Sequence, residues 1–506
     1  MENLLQHMER AVWGWPLLIL LMGAGVFLLF RLRFFPVRML PYALKLVLHP
    51  TGKRKSRVSA FGALCTSLSA TIGTGNMVGV ATALSLGGPG ALFWMEVSAF
   101  TGLSLKYAEG LLAVAYRRRM ENGAWTGGPF AYISLGLGRK YRLLGKAFAF
   151  LGAMAGLCGV GTFVQVGSVS SCLTALISET THQLHAVQLP WGGRVSVAAL
   201  CAGILLAGLA ARFLFGGMER ISRLSAKIVP AMCGLYVLCC VWILIRCSDR
   251  LPDAISSVFA SVLHPANVSA GFFGSVVAGV SRGIFSNEAG LGTSPIAAAA
   301  AEDVTPVEQG LISMTATLFD TFLICTLTGL VVLVTDSAGA GVGATMLAFA
   351  RGLPFPGTAS KGIVFFLLSM FAFTTVIGWS CYGTACLDDL TDSSSIIRKA
   401  YLTLYALTAA VAPLCSARGI WTAANVCNGL MAVPNVIALI LFSDRIAGLT
   451  CNFLDFRKRI RYNGTTYRIR RNINAERTVR HCSKRGEDRT LRQRRGSIRT
   501  GENRTS

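Results

Sequence analysis

The stretch SATIGTGNMVGV, residues 69–80, places three glycines within seven positions in the middle of a long apolar run. Glycine costs about 1 kcal/mol relative to alanine inside a helix. Backbone amides left open in hydrocarbon cost several times more. A segment built for lipid that carries this sequence needs another partner for the hydrogen bonds its glycines release.

The surroundings of the stretch are those of a membrane protein. Of 506 residues, 53% are hydrophobic and 14% charged, and the mean hydropathy is +0.55, which excludes an ordinary soluble domain. Runs of roughly 20 apolar residues, the length that crosses a bilayer, occur at about 12–31, 59–85, 89–116, 143–178, 195–214, 225–246, 271–300, 309–334, 361–387, 398–415 and 420–443. The first follows MENLLQHMER, which carries mixed charge and no small-residue cleavage site, so it reads as a retained helix and not a signal peptide. The fifteen cysteines show neither CxxC pairs nor the short even spacings of a disulfide framework, and read as small buried hydrophobes.

Alternating eleven spans puts the basic stretches RLRFFPVRML, KRKSR, YRRR, RKYR, RFLFGGMERISRLSAK and the C-terminal tail on one side. That side is expected to be cytoplasmic. SETTHQLHAVQLPWGG and TDSAGAGVGATMLAFARGLP, poor in Lys and Arg, fall opposite, and the amino terminus is expected outside. The formal charge of +24 then follows largely from topology, and no nucleic-acid partner is expected.

Span 59–85 breaks at GTGN and span 271–300 at SNEAGLG. With the first span set aside, each opens a set of five. Gly-interrupted segments at corresponding positions point to an inverted-repeat transporter with its site at the midplane. A broken helix exposes N–H groups at one half-helix start and C=O groups at the other half's end. The first suit a carboxylate and the second a cation. Two other readings of GTGNMVG stand beside this one. A nucleotide loop needs a preceding strand and a βαβ unit, absent around FGALCTSLSATI. A packing role, glycines letting helices approach, stays open.

Three stretches carry a resemblance to a known family. SLSATIGTGNMVGVATALSLGGPGALFWMEVSAFTGLSLKYAEGLLAVAYR (67–117), SRGIFSNEAGLGTSPIAAAAAED (281–303) and FAFTTVIGWSCYG (371–383) closely resemble the bacterial alanine or glycine:cation (sodium:alanine) symporters, over about residues 12–445. The resemblance implies an all-α polytopic membrane protein of the LeuT type, with about eleven transmembrane helices in which a five-plus-five inverted repeat follows one extra N-terminal helix. It divides the chain into residues 1–58, an N-terminal helix and cytoplasmic linker; 59–246, the first repeat; 247–445, the second; and 446–506, a basic tail.

On the matching positions, the resemblance implies that the amides of Thr74 and Gly75, with Asn76 beside them, hold an amino acid's carboxylate. Backbone oxygens near Ser69, Ala70 and Ile72, with the hydroxyls of Thr374 and Thr375, coordinate sodium. The carbonyls of Phe285, Ser286, Asn287 and Glu288 accept the ammonium, Gln165 reaches the bound amino acid, and Trp379 and Phe163 wall a pocket sized for a hydrogen or methyl side chain. Glu288 is read either as a ligand contact or as a structural residue that braces the break or pairs with Arg282. The expected activity is sodium-coupled symport of alanine or glycine into the cell across the bacterial inner membrane, with Na+ as coupling ion, no cofactor and no enzymatic reaction. An uncoupled or proton-coupled carrier of another small zwitterion is the alternative.

Other polar residues are read more plainly. Lys106 and Glu109, at i and i+3, are expected to form an ion pair. Asp320 lies alone in an apolar span, as a hydrogen-bonding group or a proton or cation ligand, and His182 and His185 are read as solvated loop residues. Glu96 stands where the family carries an apolar or aromatic residue. The tail from about 457 departs from the family and lacks periodicity, and its composition argues disorder. Its basic residues suit anionic lipid, at roughly 1 kcal/mol per residue near the surface. The tail peptide is expected to co-sediment with anionic vesicles and not with neutral ones; equal binding to both would end the idea.

Overall fold

The computed structural model of the protein describes residues 2–49, 56–121, 123–181, 186–188, 194–263, 271–337, 339, 341–414 and 418–462. His182 and His185, and the tail beyond 462, lie outside the described residues. The chain divides into two units, residues 1–450 and 451–506. In the second, the described part is the C-terminal portion of a helix ending at Tyr462.

The helices of the first unit run, in order, α1 (Glu2–Val12), α2 (Trp15–Arg31), α3 (Phe35–Arg38), α4 (Leu40–Leu48), α5 (Ala60–Thr71), α6 (Val80–Gly87), α7 (Gly90–Ala115), α8 (Pro129–Gly136), α9 (Arg142–Cys158), α10 (Phe163–Thr181), α11 (Val197–Leu214), α12 (Gly217–Arg246) and α13 (Leu251–Leu263). They continue with α14 (Gly271–Asn287), α15 (Ser294–Ala299), α16 (Pro306–Thr317), α17 (Thr326–Val334), α18 (Val342–Gly352), α19 (Gly357–Leu390), α20 (Ser395–Val411), α21 (Arg418–Leu441) and the start of α22 (Ser443–Tyr462), whose residues from 451 belong to the second unit. Two π-helical segments, Gly75–Gly79 and Leu318–Cys325, join α5 to α6 and α16 to α17. Two short antiparallel hairpins pair Arg118–Arg119 with Trp125–Thr126 and Ala186–Gln188 with Arg194–Ser196.

Helix occupies each apolar stretch read from the sequence, but length and apolarity alone mark fewer of them as spans. Six helical stretches pass that test: His7–Arg31, Arg139–Glu179, Val197–Leu214, Gly217–Arg246, Pro306–Val334 and Gly357–Leu390, with a seventh if Asn425–Leu441 and Ser443–Arg457 count as one. The interrupted stretches fail because each half is short: α5 has 12 residues and α15 has 6.

Local chemistry sets the ends that matter. Ser59 caps α5, its hydroxyl accepting the Gly62 N–H at 3.0 Å. Thr305 and Glu308 form a reciprocal capping box at the start of α16, with Pro306 at its first position. The outer faces of α11 and α12 carry exposed Leu205 and Leu238, each about two-thirds accessible, a pattern suited to lipid contact.

Inside, glycines let helices meet backbone to backbone. On α14, a Cβ at Gly279 would lie 2.3 Å from the Ala91 carbonyl oxygen of α7, and one at Gly283 would lie 2.2 Å from Ser98 Oγ. Close approach of this kind is the usual device where apolar helices pack in lipid. Behind α5, Tyr236 of α12 stacks on Phe349 at 5.9 Å and shares a 2.7 Å hydrogen bond with Thr328. Gly279→Ala is expected to destabilise the folded protein by about 1–3 kcal/mol through overpacking. The same change at Gly234, with open space around it, should stabilise α12 by up to about 1 kcal/mol. Thermal unfolding in detergent reads both signs.

Candidate functional site

Both expected breaks are present, and they are built differently. At the first, α5 ends at Thr71, Ile72 turns extended (φ −77°, ψ 96°), and helical geometry resumes at Thr74. None of its glycines has positive φ. Gly73 is required for proximity instead: a Cβ there would sit 2.7 Å from Thr375 Oγ1 and 3.1 Å from Gln165 Oε1. The packing role of this glycine and its position in the break are thus one fact. At the second, Glu288 (φ 53°), Gly290 (φ 84°) and Gly292 (φ 84°) all occupy the left-handed region. Glycine adopts that conformation freely, and Glu288 does so at a cost of order 1–2 kcal/mol.

The peptide groups opened at the first break find side-chain partners. The Thr74 N–H donates to Gln165 Oε1 at 3.2 Å, and the Gly73 N–H to Asn76 Oδ1 at 3.0 Å. The Ile72 carbonyl accepts from Thr375 Oγ1 at 3.4 Å. Gln165, anchored through its Nε2 on the Val160 carbonyl at 3.1 Å, thus holds the amide expected to receive a carboxylate.

Asp320, in the π-helical segment Leu318–Cys325, joins the two breaks. Its Oδ1 accepts from Asn76 Nδ2 at 2.8 Å, and its Oδ2 accepts from Ser286 Oγ and from Thr321 Oγ1, both at 2.9 Å. All of these residues are buried. A buried carboxylate surrounded by neutral donors keeps acceptor capacity for a cation or a proton. The signal in the sequence was a lone acid in an apolar span; its place between the breaks was not readable there.

The remaining expected residues divide by location. On the seam of α5 and α19, a Cβ at Gly378 would lie 2.8 Å from Ser69 Oγ and 3.1 Å from the Ala70 nitrogen, so Ser69, Ala70, Ile72 and Thr375 share one interface. Thr374 and Thr375 both donate to the Phe371 carbonyl at 2.9 Å, but the Thr374 hydroxyl faces Met232 Sδ while that of Thr375 faces the Ile72 carbonyl. Phe285 reaches the first break, its Cδ1 3.8 Å from where a Gly75 Cβ would stand. Trp379 packs on the α9–α10 link at Gly161 and edge-on to Tyr382, with rings 5.7 Å apart. Phe163, buried, opens α10 two residues before Gln165.

The structure decides between the readings of Glu288 and corrects that of Lys106 and Glu109. Glu288 does not pair with Arg282: it accepts from Thr293 Oγ1 across the second break and so braces it. Asn287 braces the same turn, its Oδ1 accepting the Ala289 N–H at 2.9 Å. Lys106 and Glu109 form no ion pair. Glu109 Oε1 instead accepts the Gly292 N–H at 3.1 Å and Asn435 Nδ2 at 2.7 Å, while Asn435 also donates to the Gly290 carbonyl at 2.9 Å. An unwound backbone inside the protein needs acceptors and donors more than an adjacent lysine needs a counter-charge. Lys106 Nζ is buried with no hydrogen-bond partner among the described residues. Glu96, the departure from the family pattern, accepts from Thr326 Oγ1 at 2.7 Å.

Beyond the second break, Arg117 ties down the end of α15 by donating to the Ala299 and Ala301 carbonyls. Burial pushes its guanidinium down to about 10, which leaves it cationic at neutral pH.

A model of the sodium:alanine symporter family matches residues 1–466. An uncharacterized transporter of Haemophilus influenzae is 44% identical over 449 residues, 87% of this chain and 93% of that one. The sodium/alanine symporter AgcS of Methanococcus maripaludis is 39% identical, covering 90% of this chain and 98% of its own. The probable sodium/glutamine symporter GlnT of Bacillus subtilis is 31% identical, covering 88% and 89%. Among solved structures, that of MhsT in complex with L-phenylalanine superposes with a TM-score of 0.54 at 13% identity, covering 77% of this chain and 90% of that one. That likeness establishes the LeuT-type fold.

Asp320→Ala strands three buried donors, on Asn76, Ser286 and Thr321, at about 1–3 kcal/mol for each group left unpaired. Ser286→Ala added to it is expected to cost less than Ser286→Ala alone, and a double-mutant cycle on thermal stability measures that coupling.

Proposed function

Because the chain belongs to the sodium:alanine symporter family, a family of transporters and not enzymes, we propose that it carries a small neutral amino acid, alanine or glycine, into the cell together with Na+ by alternating access. The bilayer in question is the bacterial inner membrane, with the amino terminus outside and the carboxyl terminus cytoplasmic. The observation that carries this reading is the Gln165–Thr74 hydrogen bond at the first break. A neutral amide there occupies a position that a carboxylate fills better, since a charge-assisted bond is roughly twice as strong as a neutral one.

In this mechanism the substrate carboxylate displaces Gln165 Oε1 from the Thr74 N–H and also meets the Gly75 amide at the positive end of the resumed helix. The ammonium lies toward the C-terminal carbonyls of α14 at Phe285–Asn287, where the helix dipole is negative. Asn76, already bonded to Asp320, links carboxylate recognition to the second break. Na+ takes oxygens of the α5–α19 seam: the backbone near Ser69, Ala70 and Ile72 and the lone pairs of the Thr375 hydroxyl, whose proton stays on the Phe371 carbonyl at 2.9 Å. Thr374 joins only by rotating away from Met232. Cation and substrate each rigidify the same few residues of α5, so each favours the other's binding state. One positive charge moving inward supplies about 2.3 kcal/mol per 100 mV.

A proton-coupled or uncoupled carrier of another small zwitterion is the competing reading, favoured by the buried Asp320 carboxylate. Labelled alanine uptake into proteoliposomes separates the two. An inward sodium gradient is expected to drive accumulation, and Thr375→Val is expected to raise the half-saturating sodium concentration about tenfold or more. Uptake indifferent to sodium would defeat the proposal.

A further inference from the structure

We propose that Trp13, in the link between α1 and α2, is a positioning residue that fixes Phe285 over the first break and thereby limits the size of the amino acid the site accepts. The inference rests on the reading of the two breaks as the substrate site. It concerns an element with no place in either five-helix set.

Trp13 is held from α21. Its indole N–H donates to the Asn425 carbonyl at 2.9 Å. Asn425 is itself tied to α1, its Nδ2 donating to Glu9 Oε1 at 2.7 Å. Gly429, one turn further along α21, leaves the room these contacts need: a Cβ there would lie 2.5 Å from Val12 Cγ1 and 3.1 Å from Trp13 Nε1. The indole is therefore fixed at its polar edge by a hydrogen bond and along its side by a helix surface without a side chain.

The other side of the indole meets Phe285 in an edge arrangement, with centroids 5.9 Å apart and planes at 62°. Phe285 is the third residue from the end of α14, and its ring carries no hydrogen-bonding group, so packing alone selects its rotamer. The same ring also approaches the first break, with Cδ1 3.8 Å from the position of a Cβ on Gly75. Phe285 thus neighbours both Trp13 and the backbone that receives the substrate carboxylate. With Trp13 in place the ring cannot swing toward α21. Without it, the space of an indole opens behind Phe285, and a longer substrate side chain displaces the ring into that space. Size exclusion of this kind needs a wall that cannot yield.

The test is uptake of labelled alanine into sodium-loaded-gradient proteoliposomes with leucine as the competitor, for the full-length protein and the variants Trp13→Ala, Trp13→Phe, Phe285→Ala and Trp13→Ala/Phe285→Ala. Trp13→Ala is expected to lower the half-inhibitory leucine concentration at least tenfold and to raise KM for alanine more than it lowers kcat. Trp13→Phe, which keeps a ring against Phe285, is expected to restore most of the exclusion of leucine. The double variant is expected to admit leucine no better than Phe285→Ala alone. Thermal unfolding of each variant identifies any that is misfolded, and Trp13→Leu then replaces Trp13→Ala. Wild-type exclusion of leucine in a folded Trp13→Ala or Trp13→Leu protein, with exclusion lost in Phe285→Ala, overturns the role of Trp13 and leaves the site reading intact. Wild-type exclusion in Phe285→Ala as well overturns Phe285 as a wall and Trp13 with it, while sodium-indifferent alanine uptake by the wild type is what overturns the site reading.

Discussion

Peptide groups that open inside a protein, away from water, must find partners, and two stretches of this chain open them deliberately. The architecture follows from how those groups are satisfied. At the first break the partners come from three other helices: Gln165 of α10, Thr375 of α19 and, through Asn76, Asp320 between α16 and α17. At the second they come from Glu109 of α7 and Asn435 of α21. Helices distant in sequence are thus tied to the same few backbone atoms, and a change at one break is felt by all of them. An unsatisfied buried group costs about 1–3 kcal/mol, enough to make any rearrangement of these partners a discrete step and not a gradual one.

The two breaks divide the labour. The first has ordinary dihedrals and tight surroundings, and its hydrogen bonds are made by side chains able to rotate away. The second stores its turn in three left-handed residues and is clamped by Glu109, Asn435, Glu288 and Thr293. A rigid second break opposite an exchangeable first one suits a site in which ligand groups replace protein groups at one wall while the other keeps its shape. Asp320 is common to both, bonded to Asn76 on one and Ser286 on the other.

How much of this was legible in the sequence depends on the kind of information each residue carries. Both breaks were read correctly because glycine runs inside apolar spans have few physical explanations. Gln165 and Thr375 were placed by resemblance, and the structure brings both to the first break. Thr374 was placed with Thr375 by the same resemblance; successive residues on a helix point about 100° apart, and in the structure its hydroxyl faces Met232 Sδ. The Lys106–Glu109 pair failed for a related reason. Spacing of i and i+3 permits an ion pair, but the Gly292 amide and Asn435, separated from Glu109 by more than 180 and 320 residues, compete for the carboxylate more effectively.

By itself, then, the amino-acid order determined that the chain is helical and made for a bilayer, where its helices stop and restart, and which family it belongs to, because periodicity, apolar length and glycine runs are local properties. Only the tertiary structure decided which partner each opened peptide group takes, that Asp320 sits between the two breaks, and that Trp13 of the extra N-terminal segment backs Phe285. Those are contacts across hundreds of residues, set by how helices pack. No local pattern encodes them, since the same side chain has several possible partners until the fold removes all but one.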